Sequence, residues 1–384
     1  MTLTSKERIL ATINLEEPDC VPFVPTFIGP WVRQYWNTEE QKRKDLINLG
    51  LDQLLNLGAP FSFYPDVKVK IIKRKDIENK RCILYKIYYT PAGTLRQVVY
   101  QTEDWPHGDD IPIFSDFVVA GGRSKEYLIK GPEDVEKFQY LLQKPTTKQV
   151  EEFYKRAKEI RDLSCKLGLL INGVGGYGGT YLLSICGLHN FSKWLVKNPK
   201  LIKDLLNVVH EYDLMRVRML LDAGVDMITR DGWYETPLFW SVKRFKEMIL
   251  PLLLEELELV HQGGAKFRYI MSIGLTHIAE YLKRMNVDVI YGVDPIVEKR
   301  SPQEIRRKIG SNICLWGGIS EAVTVQQGTP KQIEKAVKDA IRAFAPGGGY
   351  VLSTIGSFFT REAWINKGPI IIRTWKKYGR YAII

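Results

Sequence analysis

Histidine and cysteine are both scarce, five of each among 384 residues. The cysteines (Cys20, Cys82, Cys165, Cys186 and Cys314) are scattered, odd in number and without a CxxC pair. That argues against a disulfide framework and against a cysteine zinc cluster. The histidines (His107, His189, His210, His261 and His277) form no HExxH motif and no pair at metal-binding spacing. No apolar run approaches the ~18 residues of a membrane span, and the opening Met1-Thr2-Leu3-Thr4-Ser5-Lys6-Glu7 lacks a signal peptide's apolar core. A cytoplasmic protein with no membrane partner is the expectation. Acidic residues are also in deficit, 44 against 55 Lys and Arg, for a formal charge of +11. The basic residues are interleaved with acids, as at residues 68–80 and 197–204, and no fingerprint of a nucleic-acid fold accompanies them. A nucleic-acid partner is therefore not expected. A basic surface suits an acidic substrate or an acidic partner protein.

What is present is a regular alternation. A short apolar run at residues 225–229 ends in the polar tip Arg230-Asp231-Gly232-Trp233-Tyr234-Glu235. An amphipathic stretch follows at 242–262, then a second apolar run, Phe267-Arg268-Tyr269-Ile270-Met271. This reads as a strand–helix–strand unit. Further strands are expected at 21–25 (despite Pro22 and Pro25), 169–172, 287–291, 312–316 and 349–353, with helices between them; 52–57 reads as a strand or a helix end. Residues 68–72, 81–89 and 95–100 alternate as antiparallel strands, the last two joined by the turn Thr90-Pro91-Ala92-Gly93-Thr94. Seven or eight βα repeats imply an α/β fold, a (β/α)8 TIM barrel with an inserted antiparallel β-meander near the N-terminus. The chain reads as a single domain over 1–384, with the insert at 66–130.

Chemistry in such barrels collects where strands end. The tip at 230–235 offers a cation, two carboxylates, a phenol and an indole. Asp294 ends another strand on the same rim, and His277 begins a helix just past residue 271. Such carboxylates can protonate a leaving oxygen or polarise a pyrrole-like N–H. Trp31, Trp233, Tyr234 and Trp316 offer flat apolar walls. Gly173-Val174-Gly175-Gly176-Tyr177-Gly178-Gly179 resembles a phosphate cradle but lacks the Lys-Ser/Thr ending of a P-loop. Conformational freedom at a crowded mouth is the favoured reading of these glycines.

Several segments carry a family resemblance. They are Ser5-Lys6-Glu7-Arg8, Glu17-Pro18-Asp19-Cys20-Val21-Pro22, Gly131-Pro132-Glu133-Asp134-Val135 and Gly292-Val293-Asp294. The densest are Leu315-Trp316-Gly317-Gly318-Ile319, Gly328-Thr329-Pro330 and Ala345-Pro346-Gly347-Gly348-Gly349-Tyr350. The chain resembles the uroporphyrinogen decarboxylase superfamily, which implies a barrel with its site at the C-terminal mouth. That superfamily divides into cofactor-free porphyrinogen decarboxylases and methyltransferases that work with corrinoid proteins. Trp31-Val32-Arg33-Gln34 echoes the start of the decarboxylases' arginine-rich signature, but Tyr35-Trp36-Asn37-Thr38 does not continue it. Known methyltransferases hold zinc through His-x-Cys-Gly and a later Cys, positions that fall on Met271-Ser272-Ile273-Gly274 and near Ile355-Gly356-Ser357. Those ligands are absent. An alternative Glu, Glu, His ligand pattern retains only Glu235.

The resemblance implies a methyltransferase that moves a methyl group between a small methylated compound, such as a methoxyaromatic, and a corrinoid on a separate protein. Glu235 or Asp231 is the expected acid, with His277 and Asp294 in support. The expected substrate-facing set is Trp31, Arg33, Tyr177, Arg230, Trp233, Tyr234, Met271, Trp316 and Ser357. No cofactor is bound by a recognised motif; zinc stays open through an unfamiliar ligand set. The alternatives are a decarboxylase of an acidic aromatic substrate, using Arg33 and Arg230 for carboxylates and Asp231 or Asp294 for ring N–H groups, and a non-catalytic tetrapyrrole- or partner-binding barrel.

Overall fold

Seven parallel strands follow one another around the molecule in chain order. They are β1 (Leu54–Gly58), β6 (Leu170–Val174), β7 (Met227–Asp231), β8 (Lys266–Ile270), β9 (Val289–Val293), β10 (Cys314–Ser320) and β11 (Tyr350–Ile355). Four antiparallel strands make a separate sheet: β2 (Lys68–Lys75), β3 (Cys82–Thr90), β4 (Gly93–Gln101) and the short β5 (Ser124–Glu126), which the sequence pattern did not suggest. The computed structural model describes residues 3–61, 67–76, 81–103, 105–114, 123–271 and 273–381.

The eighth barrel position belongs to residues 21–28, which make bridges rather than a continuous ladder. Val24 N–H donates to the Leu352 carbonyl at 3.0 Å and Leu352 N–H to that of Pro22 at 2.8 Å. On the other edge, Asp52 N–H donates to the Phe23 carbonyl at 2.9 Å. Pro22 and Pro25 have no N–H to give, so the ladder is broken while the ring still closes. The Trp375 indole of the last helix (Arg361–Tyr378) ties Val21 down with a 2.7 Å bond to its carbonyl. The expected amphipathic run at 242–262 is interrupted near its start. Pro237–Arg244 kinks at Ser241 (φ +57°), and the straight helix begins only at Leu250–Gln262.

Strand side chains alternate between two cores. Outward ones, such as Phe267, Tyr269, Leu315 and Leu352, pack beneath the helices. Inward ones, such as Leu170, Met227, Val289, Cys314 and Val351, fill the lower barrel together with Ile9 and Ile13. Both isoleucines come from the helix Ser5–Ile13, whose start is fixed by a capping box between Thr4 and Glu7. Arg8 of that helix, itself buried, pairs with Asp19 and Asp52 at 2.6 Å each. The N-terminal end of the barrel is thereby stoppered. At the other end Asn56, though mid-strand and inward, is exposed. Among the described residues, no helix is long and apolar enough to cross a membrane.

Candidate active site at the barrel mouth

At the end of β7, successive residues part company. Arg230 turns outward into the helix layer and is 1% exposed. Its Nη2 donates to Glu235 Oε1 at 2.8 Å and its Nη1 to Glu256. Glu235 also accepts from the Gly179 N–H at 2.5 Å and from the Tyr269 hydroxyl at 2.8 Å. Beside it, Asp213 takes the N–H groups of Tyr177 and Gly178, both at 2.8 Å. Burial pushes the Asp213 and Glu256 carboxyls above the ordinary carboxylate range. Burial alone would lower Arg230, but attraction to Glu235, Glu256 and Asp213 leaves it raised. The glycine-rich tip thus spends its amides on the protein's own carboxylates, not on a phosphate. Gly178 sits at φ +54°, and a Cβ there would fall 2.5 Å from both Arg230 Nη2 and Glu235 Oε1. Only glycine fits.

This corrects two expectations. Glu235 is one of the two expected acids, with Asp231, but it is fully buried and three donors occupy its two oxygens. Arg230 is its partner and likewise does not face the mouth. Met271 is fully buried in the outer core. Arg33 lies exposed on the helix Trp31–Tyr35, whose Trp31 packs with Phe27, Tyr35 and Trp36. His277 is exposed. Tyr177 is half-buried under the Arg216 guanidinium, 4.4 Å from its ring centroid. Ser357 is half-buried just past β11.

Asp231, Trp233 and Tyr234 do come together. With Thr180, Tyr181 and Ser184 they line a cavity of about 170 Å³. The Tyr181 hydroxyl donates to Asp231 Oδ2 at 2.8 Å and the Trp233 N–H to Oδ1 at 3.1 Å. Asp231 is half-buried, and these two donors orient its carboxyl.

Trp233 also stacks edge-on against Tyr291 of β9 (5.9 Å), which meets Trp316 of β10 (6.2 Å). Over both rings lies a residue absent from the expected set. Arg268 of β8 points inward, its guanidinium 5.4 Å from the Tyr291 ring and 4.8 Å from Trp316. Its Nε donates to Thr229 Oγ1 at 2.8 Å. Thr229 donates to Asn172 Oδ1 at 2.6 Å, and Asn172 Nδ2 to Asn56 Oδ1 at 2.9 Å. A polar belt thus crosses the barrel above its apolar plug.

With this geometry described, relatives can be placed. The sequence family of uroporphyrinogen decarboxylase (URO-D) matches residues 120–355. The chain belongs to the uroporphyrinogen decarboxylase family. No curated protein matches the sequence significantly. Among solved structures, a methyltransferase from Methanosarcina mazei is similar at 18% identity and a TM-score of 0.59, over 98% of this chain and 99% of that one. A B12-independent methionine synthase from a Shewanella species aligns at 12% identity and a TM-score of 0.46, over 93% and 94% of the two chains. At such identities the first likeness establishes the shared barrel.

The zinc positions known in methyltransferases of the uroporphyrinogen decarboxylase superfamily can be tested on this barrel. Ser272 lies outside the described residues. Met271 faces away from the mouth, and Glu235 has no free oxygen. The loop after β8 instead wraps a carboxylate, Gly274 and Leu275 donating N–H to Glu298 Oε1 at 2.5 and 3.1 Å. Among the described residues, no three His, Cys, Asp or Glu side chains are placed to hold a metal. The residues present do not fit a zinc set of this type.

Asp294, 2% exposed, caps the short helix Pro295–Glu298 by accepting from the Ile296 and Val297 N–H groups at 2.9 and 3.3 Å. Burial nevertheless outweighs these donors and raises its carboxyl above the ordinary value of 3.8. The folded state therefore binds its proton more tightly than the unfolded state. Stability falls as pH rises from about 4 through the folded value. Asparagine keeps the cap without the charge. Asp294→Asn is expected to melt a few degrees above the wild type at pH 7, a gain that shrinks toward pH 4 in a series of thermal melts.

Proposed function

We propose that this protein is a methyltransferase that moves a methyl group between a small methylated compound, of methoxyaromatic size, and a corrinoid carried by a partner protein. The observation that carries the reading is a contrast of scale at the mouth. The acid-bearing cavity of about 170 Å³ compares with the ~150 Å³ that accepts benzene in an engineered core. Around it, the loops after the strand ends expose Ile28, Val174, Ile296, Val297 and Phe359. These apolar side chains would give a large flat partner a surface to rest on. A small donor below and a large flat partner above match the two substrates of corrinoid-linked methyl transfer.

The decarboxylase alternative finds less support. Arg33 and Arg230, its expected carboxylate holders, lie on the outside and in the helix layer. The segment that follows the first strand is an aromatic knot of Phe27, Trp31, Tyr35 and Trp36.

The chemistry assigned to the chain itself is proton supply and positioning. As the methyl carbon leaves an ether oxygen, the C–O bond breaks and its electron pair stays on oxygen. The Asp231 carboxyl gives that oxygen its proton, with the Tyr181 hydroxyl holding the group in place. The corrinoid supplies the methyl acceptor. Trp233 and Tyr234 exclude water and fix the donor's plane.

Reduced corrinoid protein or free reduced cobalamin, mixed with 4-methoxybenzoate and the protein, tests the reading by the absorbance change of corrinoid methylation. Methylation that depends on both components is the expected result. Carbon dioxide release from an acidic aromatic with no corrinoid present would overturn it in favour of decarboxylation.

A further inference from the structure

Among the described residues, each buried arginine but one has a carboxylate within 4.0 Å. Arg8 pairs with Asp19 and Asp52, and Arg230 with Glu235 and Glu256. Arg216 donates to the Gly175 carbonyl at 2.6 Å and sits 3.9 Å from Asp213. Arg268, 8% exposed, has only the Thr229 hydroxyl on Nε; among the described residues, neither Nη atom has an acceptor and no carboxylate pairs with it. The cost shows in its acidity. Burial brings the guanidinium down to about 10, opposed only by the nearby Tyr291 hydroxyl.

A second polar group beside it is also unanswered. Trp316, on whose face the guanidinium rests, keeps its indole Nε1–H buried with no acceptor among the described residues. A buried cation without a counter-charge is among the most expensive things a core can hold, and buried donors rarely stay unpaired without a reason. Here the surroundings fix the group rather than satisfy it. Thr229, Asn172 and Asn56 orient Nε from one side, and Tyr291 and Trp316 support the guanidinium face. The two Nη groups remain as a planar fork in a barrel that is open at this level, since Asn56 of the same belt is exposed. A fork of two parallel N–H donors matches the two oxygens of a carboxylate.

We propose that Arg268 anchors an anion subsite inside the barrel that takes the carboxylate of a small planar acid. Trp316 Nε1–H is an additional donor to it, and Trp233 and Ile270 form the apolar wall along which the acid's ring lies. That this acid is also the methyl donor rests on the methyl-transfer reading; the subsite itself does not.

Isothermal titration of the wild-type protein, with no corrinoid present, compares 4-methoxybenzoate with 4-methoxybenzamide, which has the same shape and no charge. The carboxylate is expected to bind at least about tenfold more tightly, the discrimination a desolvated charge-assisted pair provides. Arg268→Gln is expected to bind both compounds equally. Arg268→Met, which removes a buried charge and strands no carboxylate, is expected to melt at or above the wild-type temperature while losing the same discrimination. Equal affinities in the wild type, or a carboxylate preference that survives in either variant, would overturn the subsite. A preference that depends on Arg268 without any methyl transfer in the corrinoid assay would uphold the subsite and remove only the donor assignment.

Discussion

Replacing Arg230 with methionine is expected to destabilise the protein by about 3–5 kcal/mol, the cost of stranding buried charge. Its guanidinium bonds both Glu235 and Glu256, each fully buried. Without it the two carboxylates, with Asp213 close by, would have to take up protons or let water in. The burial that already raises Glu256 and Asp213 would act on them with one less cation to oppose it. At roughly 2–4 °C per kcal/mol for chains of 150–250 residues, the melting temperature should fall by on the order of 10 °C. Double replacement, Arg230→Met with Glu235→Gln, should recover part of the loss, because partners in one network are not additive. Thermal melts of the wild type and of the two variants check this. A melting temperature for Arg230→Met within a degree or two of the wild type would mean that the network is not a unit.

On the methyl-transfer reading, Asp231→Asn is expected to do the opposite: leave the melting temperature nearly unchanged and lower methyl transfer by roughly 10²–10⁴-fold, the usual contribution of a positioned acid. Asparagine keeps the size of the side chain; its Oδ1 can still accept from the Trp233 N–H, and its Nδ2 can donate to the Tyr181 hydroxyl oxygen in place of the bond that hydroxyl now gives. It cannot give up a proton. The loss should appear in kcat more than in KM, since donor binding is unaffected while the leaving oxygen is no longer protonated. Tyr181→Phe should cost less, because it removes a support for the acid and not the acid itself. Single-turnover methylation of the corrinoid separates these outcomes. An Asp231→Asn variant with wild-type kcat would remove Asp231 from the reaction.

The two variants sit one residue apart, and that adjacency marks the limit of what the sequence alone tells. The barrel itself was legible, because apolar runs of strand length alternate with amphipathic helices from residue 150 onward. The polar tip at 230–235 also stood out as a cluster. What composition does not carry is which way each side chain turns. Glu235 reads as an acid as plausible as Asp231, since both belong to the polar cluster at a strand end. In the fold the chain doubles back, its N–H bonding the Gly232 carbonyl at 2.9 Å, and the carboxylate drops beneath Gly179 into the helix layer. Arg268 was passed over for the reverse reason. It is embedded in Phe267-Arg268-Tyr269-Ile270, where a lone cation reads as a solvated edge. Strict alternation was the available signal. With Phe267 and Tyr269 facing the helices, Arg268 had to face the interior. The prolines at 22 and 25 likewise argued against a regular first strand, and there the structure uses bridges instead.

The stopper made by the helix Ser5–Ile13 also bears on the order of events. With Ile9 and Ile13 filling the far end of the barrel, the mouth is the doorway that the described residues leave to the interior. On the methyl-transfer reading, the small donor and the large corrinoid partner must use it in turn. A partner seated on the rim closes the passage behind the donor, so the donor enters first, and its demethylated product departs only after the partner has let go. Compulsory order is then a property of the architecture, set by a plug at the opposite pole from the chemistry.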